Sequence, residues 1–365
     1  MKNDLKMRQA NYFRLNTYFS QLDAGQMRGL FDGSTGQRGW GMNHVIRVGG
    51  KKVFVKRLPV TGLEYENMYS TKNFYRLPTY YNYGVGSAGF GVFREIIALI
   101  KTTNAVLAGE VENFPLLYHH RVMPYLGDLT ELDMERHQGY VRYWNNNKQV
   151  GQYRIDRTKA KYEVMMFFEH IPYELWRWFG KHMDQVDMVV DGMKDAISYL
   201  IKNDVIHFDC HWGNIMTDGE RVYLADFGLV LEKRFGLNKR EHNFFKANKY
   251  YDGGEFLCGL GSYVARVFRN LSDRKKESVK RAYGLSGDIS HHQRLQFLLK
   301  NIEQIYSDGL FPLHKHYVDQ VIKYRDIALM MDDFFFGMGT NNRKNTKYDH
   351  TKLRRLLKET GFVDV

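Results

Sequence analysis

The chain has 365 residues and two cysteines, Cys210 and Cys258. That length suits one large two-lobed domain or two ordinary ones with a sizeable core, and the cysteine count excludes a disulfide framework and fits a reducing cytoplasm. No run of about 18 apolar residues predicts a membrane span, and the polar start Met1-Lys2-Asn3-Asp4 lacks the apolar core of a signal peptide. The net charge of +12 favours acidic partners. Its basic residues are dispersed, with no recognisable nucleic-acid module, so nucleic acid is not expected as a partner.

In chain order, residues 1 to about 25 read as a helical lead-in and Gln26–Phe31 as a first strand, followed by the glycine-rich stretch 32–41. Glycine lets backbone amides approach phosphates closely, because no side chain intervenes and positive φ costs little. Gly36, Gly39 and Gly41 are therefore candidate phosphate-contacting positions. Residues 43–48, a Gly49-Gly50 turn and residues 51–57 alternate like the two strands of a hairpin, which places Lys56 and Arg57 on opposite faces. Two acidic candidates could serve Lys56: Glu64 or Glu66 nearby, or Glu95 in the longer apolar helical pattern 93–100. Glu95 is preferred. A second glycine-rich loop, 83–91, precedes that helix, but no clear apolar strand leads into it.

Residues 116–123 read as a strand, 127 to about 160 as a polar insertion, and 162–168 as a buried strand running into Glu169-His170-Ile171-Pro172. Pro172, with no amide hydrogen, helps end that strand. Apolar residues at Met188, Val189, Met193, Ile197, Leu200 and Ile201 predict a helix over 187–203.

That helix leads into Ile206-His207-Phe208-Asp209-Cys210-His211-Trp212-Gly213-Asn214, followed by Ala225-Asp226-Phe227-Gly228. Between the two stretches, Asp218-Gly219 separates apolar runs, a strong hairpin signal. Asp209, Asn214 and Asp226 are bases or hard oxygen donors, which suits magnesium and phosphoryl transfer, where positioning and charge stabilisation do most of the work. A rival reading is zinc held by His207, Cys210 and His211, but no fourth ligand with paired spacing accompanies them.

His-x-Asp-x-x-x-x-Asn, followed twelve residues later by Asp-Phe-Gly, resembles the catalytic and metal-binding loops of the protein kinase-like superfamily. The fuller His-x-Asp-x-His-x-Gly-Asn is similar to aminoglycoside and choline phosphotransferases, whereas Asp226-Phe227-Gly228-Leu229 is closer to protein kinases. The two halves point to different substrate classes. The resemblance covers roughly residues 30 to 260. It implies an α+β, bilobal protein kinase-like fold, with a β-rich N-lobe over 1–168, including the insertion around 127–160, and a mainly helical C-lobe over 169–365.

It also implies roles. Asp209 would take or orient the proton of the acceptor hydroxyl, while Asn214 and Asp226 would hold magnesium. Lys56, in Val53-Phe54-Val55-Lys56, would pair the ATP α- and β-phosphates, braced by Glu95. Backbone groups at Glu169 and Ile171 would meet the adenine edge. Asp252 would match the helix aspartate that braces the catalytic loop.

Residues 229–249 are basic, and serine and threonine are absent from 229 until Ser262. An ordinary phosphorylation switch there would have only Tyr250 and Tyr251 to use. No Ala-Pro-Glu follows, which departs from ordinary protein kinases. Helices are predicted over 293–306, 317–336 and 352–360, with Gly337–Asn342 breaking the chain between the last two. The expectation is a cytoplasmic, ATP- and magnesium-dependent kinase of protein hydroxyls with an acidic acceptor surface. Its rivals are a small-molecule hydroxyl kinase, a kinase-fold AMP transferase and a non-catalytic nucleotide-binding module. Lys56, Asp209, Asn214 and Asp226 occurring together argue against the last.

Overall fold

A computed structural model describes residues 2–32, 36–38, 41–126, 132–285 and 289–363. The chain is mixed α+β and divides into two compact units. The first comprises residues 1–172, 207–209 and 223–246; the second comprises 173–206, 210–222 and 247–365.

The first unit is built on five strands, β1 (Gln37–Arg38), β2 (Met42–Val48), β3 (Lys51–Val60), β4 (Leu117–Pro124) and β5 (Tyr162–Glu169). Their order is β1-β2-β3-β5-β4, every pair antiparallel. The β2–β3 turn uses Gly49 and Gly50 at φ 53° and 78°, the left-handed pair that a two-residue hairpin requires. β5 lies inside the sheet and is buried from Glu163 through Phe168, which explains its continuous apolar run rather than an alternating one. Helix Lys2–Gln21 packs Phe19 onto Phe167, ring centroids 4.2 Å apart.

One expectation changes here. The strand expected over Gln26–Phe31 is instead a short helix, Ala24–Gly29. The Asp23 side chain accepts from the Gln26 amide while the Gln26 side chain accepts from the Asp23 amide, a reciprocal cap that fixes the helical start. The polar stretch expected as an insertion has residues 127–131 outside the described set; beyond them it forms helices Met134–Tyr143 and Lys148–Thr158, capped by Asp133 and Asn147. Trp144 between them is fully buried, edge-on to Tyr81 at 4.7 Å. Trp144, Val150 and Tyr153 thus bury apolar surface in a segment whose composition is largely polar.

In the second unit, helix Tyr251–Arg269 packs against Lys315–Thr340. A β-carbon at Gly261 would lie 2.7 Å from Ala328 Cβ, and one at Gly259 2.3 Å from Trp212 Cδ1. Glycine lowers helix propensity, so its presence here reflects close packing. The break expected over Gly337–Asn342 comes late in that stretch, because the helix continues through Thr340 and ends at Asn341. Gly337 instead makes room for Thr346, whose Cγ2 would lie 2.6 Å from a β-carbon. The helix expected over 293–306 is divided into His291–Lys300 and Ile302–Ser307.

Candidate active site

Lys56 lies near the middle of β3, where strand alternation separates its side chain from that of Arg57. Arg57 goes to Glu163, Nη2 to Oε1 at 2.8 Å. The Lys56 Nζ donates to Glu95 Oε1 and to Asp226 Oδ1, both at 2.7 Å. Burial alone would lower the Lys56 pKa, but Asp226 and Glu95 outweigh it and hold the ammonium well above its ordinary range. Burial raises the Glu95 carboxyl, against the pull of Lys56. For Asp226 burial also pushes upward, yet Lys56 prevails and the pKa falls below its usual value. Asp226 is the least desolvated of the three, with 44% of its side chain open to solvent against 13% for Lys56 and 3% for Glu95.

Glu95 sits in the first turn of helix Val92–Ala108, and Glu64 fixes where that helix begins. Glu64 Oε1 accepts from the Val92 amide at 3.1 Å, and Oε2 accepts from the Thr61 amide and hydroxyl, both at 2.9 Å. Glu64 is thus a cap and Glu66 is exposed. Replacing Glu95 with glutamine is expected to produce the same functional defect as Lys56→Met, because each change breaks the same ion pair. Glu64→Gln, which leaves one buried donor unsatisfied, should instead cost about 1–3 kcal/mol of stability. Melting curves on all three variants, with the activity proposed below, check this. A Glu64→Gln protein with the Lys56→Met defect and full stability would contradict it.

Asp226 has φ 63°, in the left-handed region that non-glycine residues seldom occupy. Its Oδ1 also accepts from the Gly228 amide at 3.3 Å. Phe227 is fully buried, 4.5 Å from the His207 ring and 5.9 Å from Phe114. His207 is itself fully buried; its Nε2 donates to Ala225 O at 3.1 Å and its Nδ1 accepts from the Asp209 amide at 3.2 Å. One neutral imidazole therefore ties the backbone before Asp226 to that of Asp209. The zinc alternative fails for the same reason, since both ring nitrogens are engaged. Among the described residues no group of three or more His, Cys, Asp or Glu side chains could hold a metal ion.

The loop 84–91 has a role that sequence reading did not give it. Gly84, at φ 67°, lies so close to Asp209 that a β-carbon there would be 2.7 Å from Oδ1. The Phe90 amide donates to Gly228 O at 3.2 Å, and Asn82 Nδ2 donates to Leu229 O at 2.8 Å. The glycine signal was visible in the sequence; its target was not.

Asn214 belongs to the second unit, in the short turn Trp212–Asn214. His211 caps that turn, its Nδ1 accepting from the Gly213 amide at 2.9 Å, which gives the unusual histidine a local purpose. The Cys210 amide donates to Glu255 Oε2 at 2.7 Å. Glu255 is thus a carboxylate that holds this loop. Asp252 is buried three residues earlier on the same helix.

Of the three phosphate-loop candidates, Gly39 lies outside the described residues. Gly41 has a steric reason to be glycine, whereas at Gly36 the nearest atom is the end of a flexible methionine. A β-carbon would lie 2.6 Å from Met42 Cε at Gly36 and 2.1 Å from Arg57 O at Gly41. Glu169 spends its side chain on Arg8, 2.8 Å away, and its amide donates to Leu116 O at 2.9 Å. Ile171 is buried, 9% exposed.

Asp226 by itself offers a cation one carboxylate oxygen. Its carboxylate is anionic and half open, and among the described residues Oδ2 accepts no hydrogen bond, leaving a hard oxygen for such an ion. Comparison with protein-family models and with curated proteins returns no match for this chain.

Proposed function

We propose that the protein is an ATP- and magnesium-dependent phosphotransferase of the protein kinase-like type, acting on a protein hydroxyl. The observation that carries this reading is Lys56 held between Glu95 and Asp226, residues 39 and 170 positions away in sequence, at 2.7 Å each. Buried lysines are costly unless paired, and a lysine given two carboxylates beside a half-open aspartate is arranged for an anionic ligand and its counterion.

In this reading Lys56 orients the α- and β-phosphates, with Gly36 and Gly41 as candidate phosphate-contacting positions and the backbone at Glu169 and Ile171 meeting the adenine. Asp226 would hold the magnesium, which when bound neutralises charge on the phosphates. Asp209 accepts the acceptor's hydroxyl proton as the oxygen bonds to the γ-phosphorus and the bond to the β–γ bridging oxygen breaks. His207 keeps the Asp209 backbone in register with Asp226.

Support for an acidic protein acceptor comes from residues 229–246. Both glutamates of this segment turn inward, Glu232 to Lys101 at 2.9 Å and Glu241 to Arg94 at 2.7 Å. Lys233, Arg234, Lys239, Arg240 and Lys246 are exposed. The outward charge of the segment is therefore positive. Reversing Lys239 and Arg240 to glutamate is expected to weaken phosphorylation of an acidic protein substrate, more at low salt than at high, without weakening ATP binding. Labelled-ATP transfer to acidic and basic protein substrates over a salt series tests this. Equal use of both by the native enzyme would remove the acidic-acceptor reading.

A further inference from the structure

Arg94 and Glu95 are consecutive on helix Val92–Ala108, and they face different partners. Glu95 reaches Lys56, while Arg94 Nη2 donates to Glu241 Oε1 at 2.7 Å, both side chains 2% exposed. The Arg94 guanidinium is fixed further by Nε donating to Thr71 O at 2.8 Å and by the rings of Phe90 and Phe235, 5.3 and 5.7 Å from its carbon. Glu241 is equally committed. Its Oε2 accepts from the Asn238 amide at 3.0 Å and side-chain Nδ2 at 2.8 Å, while Asn238 Oδ1 accepts from the amides of Arg240 and Glu241 at 2.9 and 3.1 Å. This reciprocal cap starts helix Lys239–Ala247, so one carboxylate both nucleates that helix and pairs with Arg94.

Two further ties join the same parts of the chain. Lys101 pairs with Glu232 at 2.9 Å, and the Gly236 amide donates to Thr71 Oγ1 at 2.8 Å. A loop ordered by phosphorylation gains an anion that pairs with arginine. Here no serine or threonine is present from 229 to 261, and Tyr251 is fully buried.

We infer that Glu241 is a built-in anion, a positioning residue that holds segment 229–246 on the Glu95-bearing helix through Arg94 and so keeps the Lys56–Glu95–Asp226 assembly formed without any modification of the segment. The inference deepens the phosphotransferase reading and rests on it for its catalytic consequence. A buried ion pair broken on one side leaves an uncompensated charge, which is far worse than having neither group. Loss of the Glu241 charge should therefore release the segment rather than merely weaken it.

The test is Glu241→Gln, read by limited trypsin digestion and by kinetics. Exposed Lys233, Arg234, Lys239 and Arg240 put trypsin sites within the segment itself. Cleavage there, mapped by mass spectrometry, should speed up roughly tenfold or more as the locally open population rises, with cleavage elsewhere unchanged. Turnover at saturating ATP should fall while the KM for ATP changes little, and Glu241→Asp should recover part of it. Should Glu241→Gln not fold, Arg94→Lys, which keeps the charge but cannot hold Thr71 O and Glu241 together as the guanidinium does, carries the same expectation in weaker form. A folded variant nicked at the native rate would overturn the inference. So would phosphatase-treated native protein whose segment becomes as sensitive as the variant. Native protein that transfers no phosphate, but shows the segment-specific nicking on Glu241→Gln, would uphold the lock and remove the phosphotransferase reading instead.

Discussion

Asp226→Ala is expected to abolish metal-dependent nucleotide turnover while leaving the fold in place. The side chain is 44% open to solvent, and its bonds go to Lys56 and the Gly228 amide rather than into a core. Phe227, fully buried beside it, anchors the loop independently. One complication is the backbone, since φ is 63° at Asp226 and a left-handed residue costs alanine about 1–2 kcal/mol, whereas asparagine tolerates it. Asp226→Asn is therefore the cleaner companion: it keeps the conformation and the shape but loses the charge that would meet the cation. Phosphate transfer and thermal melting should be measured side by side on both variants. Full activity in either folded protein would remove Asp226 from metal binding.

Asp209→Asn should cost about 10²- to 10⁴-fold in turnover, the usual worth of a positioned base, with ATP affinity nearly unchanged. Asparagine fills the same volume against Gly84, where a larger neighbour would collide, and its backbone amide can still donate to His207 Nδ1. Titration of ATP binding alongside turnover checks the assignment. Loss of both together would make Asp209 structural or a metal ligand.

What could be read from the sequence followed local chemistry. The Gly49-Gly50 hairpin was legible because left-handed glycines and alternating flanks act within a dozen residues, and it delivered Lys56 to the sheet. Glu95 was preferred to Glu64 on the strength of a longer apolar period, and Glu95 is the carboxylate that reaches Lys56. Hidden signals were of two kinds. Some were local but overlooked, such as the Asp23–Gln26 cap that turns an expected strand into a helix. Others need tertiary contact to exist at all. Glu255 on the Cys210 amide, Gly84 against Asp209, Gly337 against Thr346 and Arg94 with Glu241 join residues whose meeting no periodicity announces. For Gly337 the same residue type that ends helices elsewhere serves close packing inside one.

The central claim, that Lys56, Glu95 and Asp226 serve a transferred phosphoryl group, is tested most directly by incubating the protein with ATP labelled on the γ-phosphate, with magnesium or with a chelator, in the presence and absence of an acidic protein substrate. The account predicts label on a protein hydroxyl with magnesium, none with the chelator, and none for Lys56→Met. Label that appears equally without divalent metal, or that persists undiminished in folded Lys56→Met, would contradict it.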